Sequence, residues 1–429
     1  MGHTCEMTGW VRRRLSGSTA ACTLAALMLA LLVTAPATQA ASWHLDPSFG
    51  RGGVAPVPGG QGTWSLLAPG PQGSLYVGAG MRRGGSFAVE RLSAQGKLVH
   101  SFGHDGVVST NAVEPDISSN SAQMLTLPDG KLLISGLDGN VNQVRLALTR
   151  FTSRGRLDRT FGHDGVAQYN LSAATGGTTG QVYVGVAGNG DIVAVHPTAT
   201  VGSIEIIRML PSGALDPSFG SGGFVRLALP GENLTGNANS EVAIASDGSI
   251  LLAFQETNVK NLFQPAVGEI SPEGVPLDTF GNDGLALIPS ALDPGAYTFN
   301  ALFGLPDGVV EASLGYEAAH SELVRLAPAG ILEPSFGTSG AAKIDQRASV
   351  ISLGPGNETF YAGSAAGAGA SSQALVVGGT LNSGQPDPAL GGAAGERFAL
   401  GLPAEAVALL PGPGVLSILD DGHVVRLSK

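Results

Sequence analysis

Cysteine is almost missing from this chain. Cys5 and Cys22 are the only thiols in 429 residues, and both precede residue 40. Everything after them can carry no disulfide framework, cysteine metal site or thiol nucleophile. Charge is sparse too, at 13% of residues, and aromatics make up 6%. No apolar run of spanning length occurs beyond the first forty residues. Familiar catalytic signatures are absent: there is no GxSxG elbow, Walker loop, HExxH or EF-hand loop. Gly130-Lys131-Leu132 lacks the Ser or Thr that a phosphate loop places after its Lys. No catalytic residue, metal or cofactor is therefore expected. The overall charge is −11, a balance that disfavours nucleic acid and anionic membrane surfaces as partners.

The first forty residues read as a secretory signal peptide. Arg12, Arg13 and Arg14 form a basic start, an apolar run follows from Ala20 to Ala35, and Pro36-Ala37-Thr38-Gln39-Ala40 offers a small-residue cleavage site after Ala40. An uncleaved membrane anchor is the rival reading. The run falls short of the ~20 apolar residues a spanning helix needs, which favours cleavage. The expectation is residues 1–40 as signal, residues 41–429 as one domain, and a secreted or cell-envelope location with no membrane span afterwards. Loss of the three arginines and Glu6 leaves 20 basic and 33 acidic side chains, a balance of −13.

What the chain does have is repetition. LDPSFGRGG at Leu45 returns as LVHSFGHDG at Leu98, LDRTFGHDG at Leu157 and LDPSFGSGG at Leu215. It continues as the shorter LDTFGNDG at Leu277, as LEPSFGTSG at Leu332 and as a decayed PDPALGGAA at Pro386. Phe49, Phe102, Phe161, Phe219, Phe280, Phe336 and finally Leu390 are spaced by 53, 59, 58, 61, 56 and 54 residues. A period of this size means one supersecondary unit copied many times.

Each unit adds a short apolar strand, an Asp-Gly-type turn and two further strands. In one repeat these are Ala122–Leu127, Pro128-Asp129-Gly130, Lys131–Ser135 and Val144–Phe151, followed by a Gly turn at Gly155 into the next phrase. Asp-Gly and Asn-Gly tolerate the positive φ that tight hairpins require. Four strands per unit, abundant Gly and no helical period predict an all-β fold, a seven-bladed β-propeller of four-stranded blades. The last unit stops at its third strand, His423 to Leu427, and the first begins with an orphan fourth strand, Leu45 to Val57. Pairing these two closes the ring and removes both free edges. The low-complexity stretch Gly363–Ser372 reads as a flexible loop.

The LDxSFGxxG phrase, the PDGK(L/I)L hairpin and the R(L/F)xxxGxL link resemble the delta-60 repeat family of bacterial β-propellers, across residues 45–429 with the seventh unit degraded. The order of marks is similar to NHL-type blades. That resemblance implies that the strand before the Asp-Gly turn is innermost and that the protein is secreted or surface-exposed; it implies no settled activity.

The repeated polar residues are expected to serve the repeat. His104-Asp105 and His163-Asp164 occupy positions filled elsewhere by Arg51-Gly52, Ser221-Gly222 and Thr338-Ser339, so they read as turn residues. Arg150 with Asp158, Arg208 with Asp216 and Arg325 with Glu333 keep an offset of eight, whereas Arg91 faces Val99 and Glu269 stands beside Asp278. These pairs are read as structural, without a strict ion pair in every unit. The phenylalanines are read as core between sheets.

Function is then expected where the units differ. One face carries the variable loops Val54–Trp64, Thr110–Ser121, Tyr169–Gly180, Leu229–Ser240, Gln255–Pro265 and Ile288–Tyr297. Trp64, Tyr169 and Tyr297 are its aromatic candidates, and Glu241 and Asn300 on inner strands would add polar groups near the channel, beside Gln123 and Gln181. The favoured reading is a non-enzymatic scaffold binding an extracellular protein or glycan through this face. The alternative is a hydrolase or lyase acting on an extracellular polymer, with carboxylates at the channel mouth.

Overall fold

The structure is a computed structural model. It describes residues 42–57, 63–80, 87–111, 122–140, 143–171, 182–197, 203–228, 241–245, 247–257, 263–289, 297–316, 321–344, 350–366, 373–398, 400, 406–420 and 422–429. The expected signal peptide lies outside them. Residues 42–429 form one compact unit, and the only helical segments described are short 3-10 turns.

Seven antiparallel sheets make up this unit. In chain order, blade one holds Thr63–Pro69, Leu75–Gly80, Phe87–Leu92 and Val107–Thr110. Blade two holds Gln123–Thr126, Leu132–Asn140, Gln143–Phe151 and Val166–Asn170, and blade three Tyr183–Val186, Ile192–Pro197, Ser203–Met209 and Phe224–Ala228. Blade four holds Glu241–Ile244, Ile250–Thr257, Phe263–Ile270 and Leu285–Leu287, and blade five Tyr297–Gly304, Val310–Tyr316, Ser321–Leu326 and Ala341–Ile344. Blade six holds Val350–Leu353, Thr359–Ala366, Gln373–Thr380 and Glu396–Phe398, and blade seven Ala406–Gly412, Val415–Asp420 and His423–Ser428.

The first strand of each blade touches the first strand of the next, all the way round. First strands are therefore innermost, and the fold is the β-propeller that the repeat period predicts. Closure follows the expected route. His44–Leu45 and Val54–Pro56 both pair with His423–Ser428, in the registers Leu45 with Leu427 and Val54 with Val425. The same bridge occurs inside single blades, as Leu92 with Leu98 and Phe151 with Leu157. The two ends of the chain thus rebuild one ordinary blade.

Middle strands are sandwiched between neighbouring blades and are apolar on both faces; Leu132, Leu133 and Ile134 are all fully buried. Outer strands alternate, as in Val107–Thr110 and Ala341–Ile344. Inner strands stay half-buried along the channel, for example Glu241–Ile244 and Val350–Leu353.

Each repeat phenylalanine seals the joint with the following blade. Phe161 sits with Val184, Ile192 and Ile207 of blade three, and Phe219 with Ile250, Leu252 and Ile270 of blade four. Phe49, Phe102, Phe161, Phe219 and Phe280 are 0% exposed, and Leu390 does the same work at the sixth joint. Each such ring removes enough apolar surface to stabilise by roughly 1.5–3 kcal/mol. The glycine before the next phrase is what lets it in: a Cβ on Gly213, at φ +82°, would stand 2.7 Å from the Phe161 ring.

Strands reach further toward the variable face than the loop boundaries expected. Gln255–Pro265 is mostly strand, leaving only 258–262 between Ile250–Thr257 and Phe263–Ile270. Gly363–Ala366, read as loop because of its glycine and alanine, ends a strand paired with Gln373–Val376. Backbone pairing decides there, not side-chain propensity.

Candidate ligand-binding site

The short hairpins joining strands one and two define one face of the propeller, the turn face. Inner strands run toward it from the opposite, variable face, the loop face. On the turn face the repeated polar residues are spent on holding blades together.

Arg150 donates from Nε to Asp158 (2.8 Å), lies 4.5 Å from the centre of the Phe161 ring, and donates from Nη1 to the Pro211 carbonyl of the next blade. Arg208 repeats this with Asp216, Phe219 and Pro272. Arg91 reaches Ser153 of blade two, Arg325 reaches Asn382 of blade six, and Arg426 reaches Ala94 of blade one. Five joints carry this guanidinium rivet. Backbone bonds run alongside it, such as Gly103 N–H to Arg154 O and Gly162 N–H to Ser212 O.

Two details correct the expected pairing. Arg325 does not meet Glu333; it turns to Glu311, with Nη2 at 2.5 Å, because Glu311 is 0% exposed and needs a cation. Glu333 instead accepts from Ser335. In blade four the shortened phrase places Leu277, not Asp278, in the Asp position, since Leu277 N–H bonds Glu269 O as Asp158 N–H bonds Arg150 O. Arg and Asp are therefore replaced together, by Glu269 and Leu277, and Asp278 is left exposed. Burial, and then Asp247, push the Glu269 carboxyl up.

Asp158 shows the energetic side of the rivet. Burial alone would raise its pKa, but the hydroxyl and amide of Thr160, Lys131 and Arg150 outweigh it and hold it at about 2. His104, Asp105, His163 and Asp164 are exposed turn residues as expected, with both aspartates at φ 52°.

The loop-side ends of the inner strands carry different chemistry in each blade. Gln123 opens the inner strand of blade two, and its Oε1 accepts from Val184 N–H of blade three at 2.6 Å. It thereby covers an otherwise bare strand edge. Glu241 opens the inner strand of blade four. It is half-buried, and burial pushes its carboxyl up to about 7. Among the described residues no cation pairs with it. Asn300 is half-buried at a β-bulge, where pairing jumps from Phe299–Leu314 to Ala301–Ser313. The extra residue breaks the alternation of the strand, a device that re-aims side chains beside sites.

The aromatic candidates divide. Trp64 and Tyr297 lie in inner strands, Thr63–Pro69 and Tyr297–Gly304, rather than in loops. Tyr169 stands apart from them, in the outer strand of blade two, half-buried against the core between blades two and three. Its hydroxyl donates to the Gly213 carbonyl. Glu241, Asn300, Trp64 and Tyr297 thus belong to channel-lining strands, and Tyr169 does not. Gln181 lies outside the described residues.

Sequence reasoning gave the turn face no role, and there it missed a cleft of about 310 Å³ between blades three and four. Asp191, Arg208 and Asp247 line it. The signal was present: the residue after the hairpin turn is Lys131 in blade two and Asp191 in blade three, a reversal of charge inside a repeat. Among the described residues no group of three His, Cys, Asp or Glu side chains is arranged to hold a metal.

A family model described as a domain of unknown function (DUF5122) beta-propeller matches residues 127–161. Among curated proteins none matches the sequence. Solved structures with a similar fold include the polysaccharide lyase Uly1, at 10% identity and TM-score 0.45 over 85% of this chain and 88% of that one. Sqt1 from Chaetomium thermophilum, bound to the N-terminus of ribosomal protein L10, is 10% identical at TM-score 0.44 over 87% and 99%. The PQQ-bound aldose sugar dehydrogenase from Streptomyces coelicolor is 16% identical at TM-score 0.37 over 72% and 94%.

Proposed function

We propose that this chain is a secreted propeller of the delta-60 repeat type that binds an extracellular protein or glycan at the loop-face end of its channel. One observation carries the reading. Repeated polar residues, and Gln123 with them, are consumed in joining blades, while the loop-side ends of the inner strands differ from blade to blade, with Glu241 in blade four and Asn300 in blade five. Function on a repeat scaffold sits on what varies. Half-buried polar groups suit hydroxyl-rich or amide-rich ligands.

A hydrolase or lyase is the second reading, favoured by the Glu241 carboxyl near 7, a value suited to a general acid. Against it, Glu241 is the only carboxylate in the described inner strands, and polymer hydrolysis by paired carboxylates needs two.

The test uses the purified chain on an array of oligosaccharides and envelope proteins. Binding should fall at least tenfold in Glu241→Gln and Asn300→Ala and stay unchanged in Arg154→Ala on the turn face. Binding indifferent to both loop-side substitutions would discard the site. Shortened polymer, lost in Glu241→Gln, would select the enzyme. N-terminal sequencing of protein from culture medium should begin at Ala41.

A further inference from the structure

The turn-face cleft between blades three and four differs in chemistry from the corresponding place one blade earlier. In blade two the residue after the hairpin turn is Lys131. Its ammonium sits 2.9 Å from Asp129 and 3.2 Å from Asp158, beside Arg150. The side chain of the same chain thus fills its own joint with an alkylammonium. In blade three the equivalent residue is Asp191, held by Asn189, whose Nδ2 donates to Oδ2 at 2.8 Å. Across the joint, Asp247 stands where blade three has Asn189. Two changes have removed a four-carbon cation and brought in two carboxylates.

The remaining walls make the cleft amphipathic. Val193, Ile250 and Pro272 supply apolar surface. Arg208 also lines it, but its charge is committed: Nε donates to Asp216 at 2.7 Å, Nη1 to the Pro272 carbonyl and Nη2 to Ser218 at 3.3 Å. Neither Asp191 nor Asp247 has a cationic partner among the described residues. A space of about 310 Å³ with apolar walls and two unpaired carboxylates matches a methylene chain ending in a primary ammonium. That group is small, carries three donors and binds carboxylates as a point charge.

We propose that this cleft is a binding site for a primary alkylammonium, taking from outside the group that Lys131 supplies from within in blade two. A free aliphatic diamine and the lysine side chain of a peptide share this chemistry.

Calorimetric titration of the full chain with cadaverine tests it, beside 1-pentanol as the neutral probe, glutarate as the anionic one, and a capped Gly-Lys-Gly peptide. Cadaverine should bind and pentanol and glutarate should not. Affinity should fall at least tenfold in Asp191→Asn and in Asp247→Asn, and more steeply in the double variant. Asp191→Lys, which restores the residue of blade two, should abolish binding. Asp307→Asn, in the hairpin turn of blade five, should leave it unchanged. Circular dichroism melts confirm that each variant is folded. Peptide binding as tight as cadaverine identifies a protein lysine as the source; cadaverine alone identifies a free amine. No amine binding at millimolar concentration, equal binding by glutarate, or full affinity in the double variant overturns the proposal.

Discussion

The guanidinium of Arg325 lies 4.1 Å from the centre of the Phe336 ring and reaches into the next blade, with Nη1 2.6 Å from the Asn382 carbonyl. One side chain therefore stacks on the core aromatic of its own phrase, neutralises Glu311 and crosses a blade joint. Lysine could not do all three, because it lacks the planar fork that stacks and donates at once.

Arg325→Ala should accordingly be severe. It strands a carboxylate that is 0% exposed, which costs about 3–5 kcal/mol when a buried pair loses one partner. The double variant Arg325→Ala/Glu311→Gln should recover part of that loss, since no buried charge remains. Urea midpoints of the three proteins check it. Equal loss in the single and double variants would mean that stacking on Phe336, and not the ion pair, carries the effect.

The repeat phenylalanines set a second expectation. Phe161→Ala or Phe219→Ala should cost roughly 3–5 kcal/mol, the range for deleting a large core side chain. Each change empties a joint between two blades, so unfolding should also lose cooperativity. Equilibrium denaturation followed by fluorescence and by circular dichroism reads both quantities, and a loss below about 1 kcal/mol would contradict the packing role.

Two carboxyls give stability opposite dependences on pH. Glu241 is raised from 4.5 to about 7 in the fold, so the folded state holds its proton more tightly than the unfolded chain. Its contribution is fully present below about 4.5 and is lost as pH rises through 7, by on the order of 3 kcal/mol. Asp158 is lowered from 3.8 to about 2. Its contribution is present above about 4 and is lost as pH falls through 2. Thermal melts between pH 5 and 8 separate the first from Asp158: Glu241→Gln should make the decline shallower than in the parent chain, leaving the share of Glu269 and Glu311, whose carboxyls are also raised. An unchanged slope would place Glu241 in water.

The fold was legible because its determinants repeat. Phe161, Gly162 and Asp158 recur in register, and seven copies of one local pattern leave few ways to bury six aromatic rings and the leucine that replaces the seventh. Conflicts appear where a repeat decays. The missing residue in the phrase at Leu277 shifts Asp278 out of register, and no count along the sequence shows that Leu277 inherits its place; the hydrogen bond to Glu269 does. The site was less legible for the same reason. Asn300 owes its position to a bulge, Glu241 its raised pKa to surrounding protein, and the Asp191–Asp247 cleft to a juxtaposition of two blades. Tyr169 read as a loop aromatic because a loop follows it, yet its hydroxyl is spent on Gly213.

Closure of the ring yields the last expectation. Leu45 pairs with Leu427, and Val54, Ala55 and Pro56 pair with Val425, Val424 and His423. Phe49 lies buried with Val424 and Leu419 on one side and Leu75 and Val77 on the other. Removing residues 423–429 exposes the edges of two strands and uncovers Phe49, so the truncated chain should aggregate or unfold without a cooperative transition. The converse truncation, starting at residue 58, should show the same defect, and a synthetic peptide of residues 42–57 should repair it by adding its strand to His423–Ser428. Solubility by size-exclusion chromatography and the sharpness of the thermal transition measure both. A truncated protein that stays soluble with its melting temperature unchanged, or one that the peptide does not rescue while remaining folded, would mean that the ring does not depend on this seam.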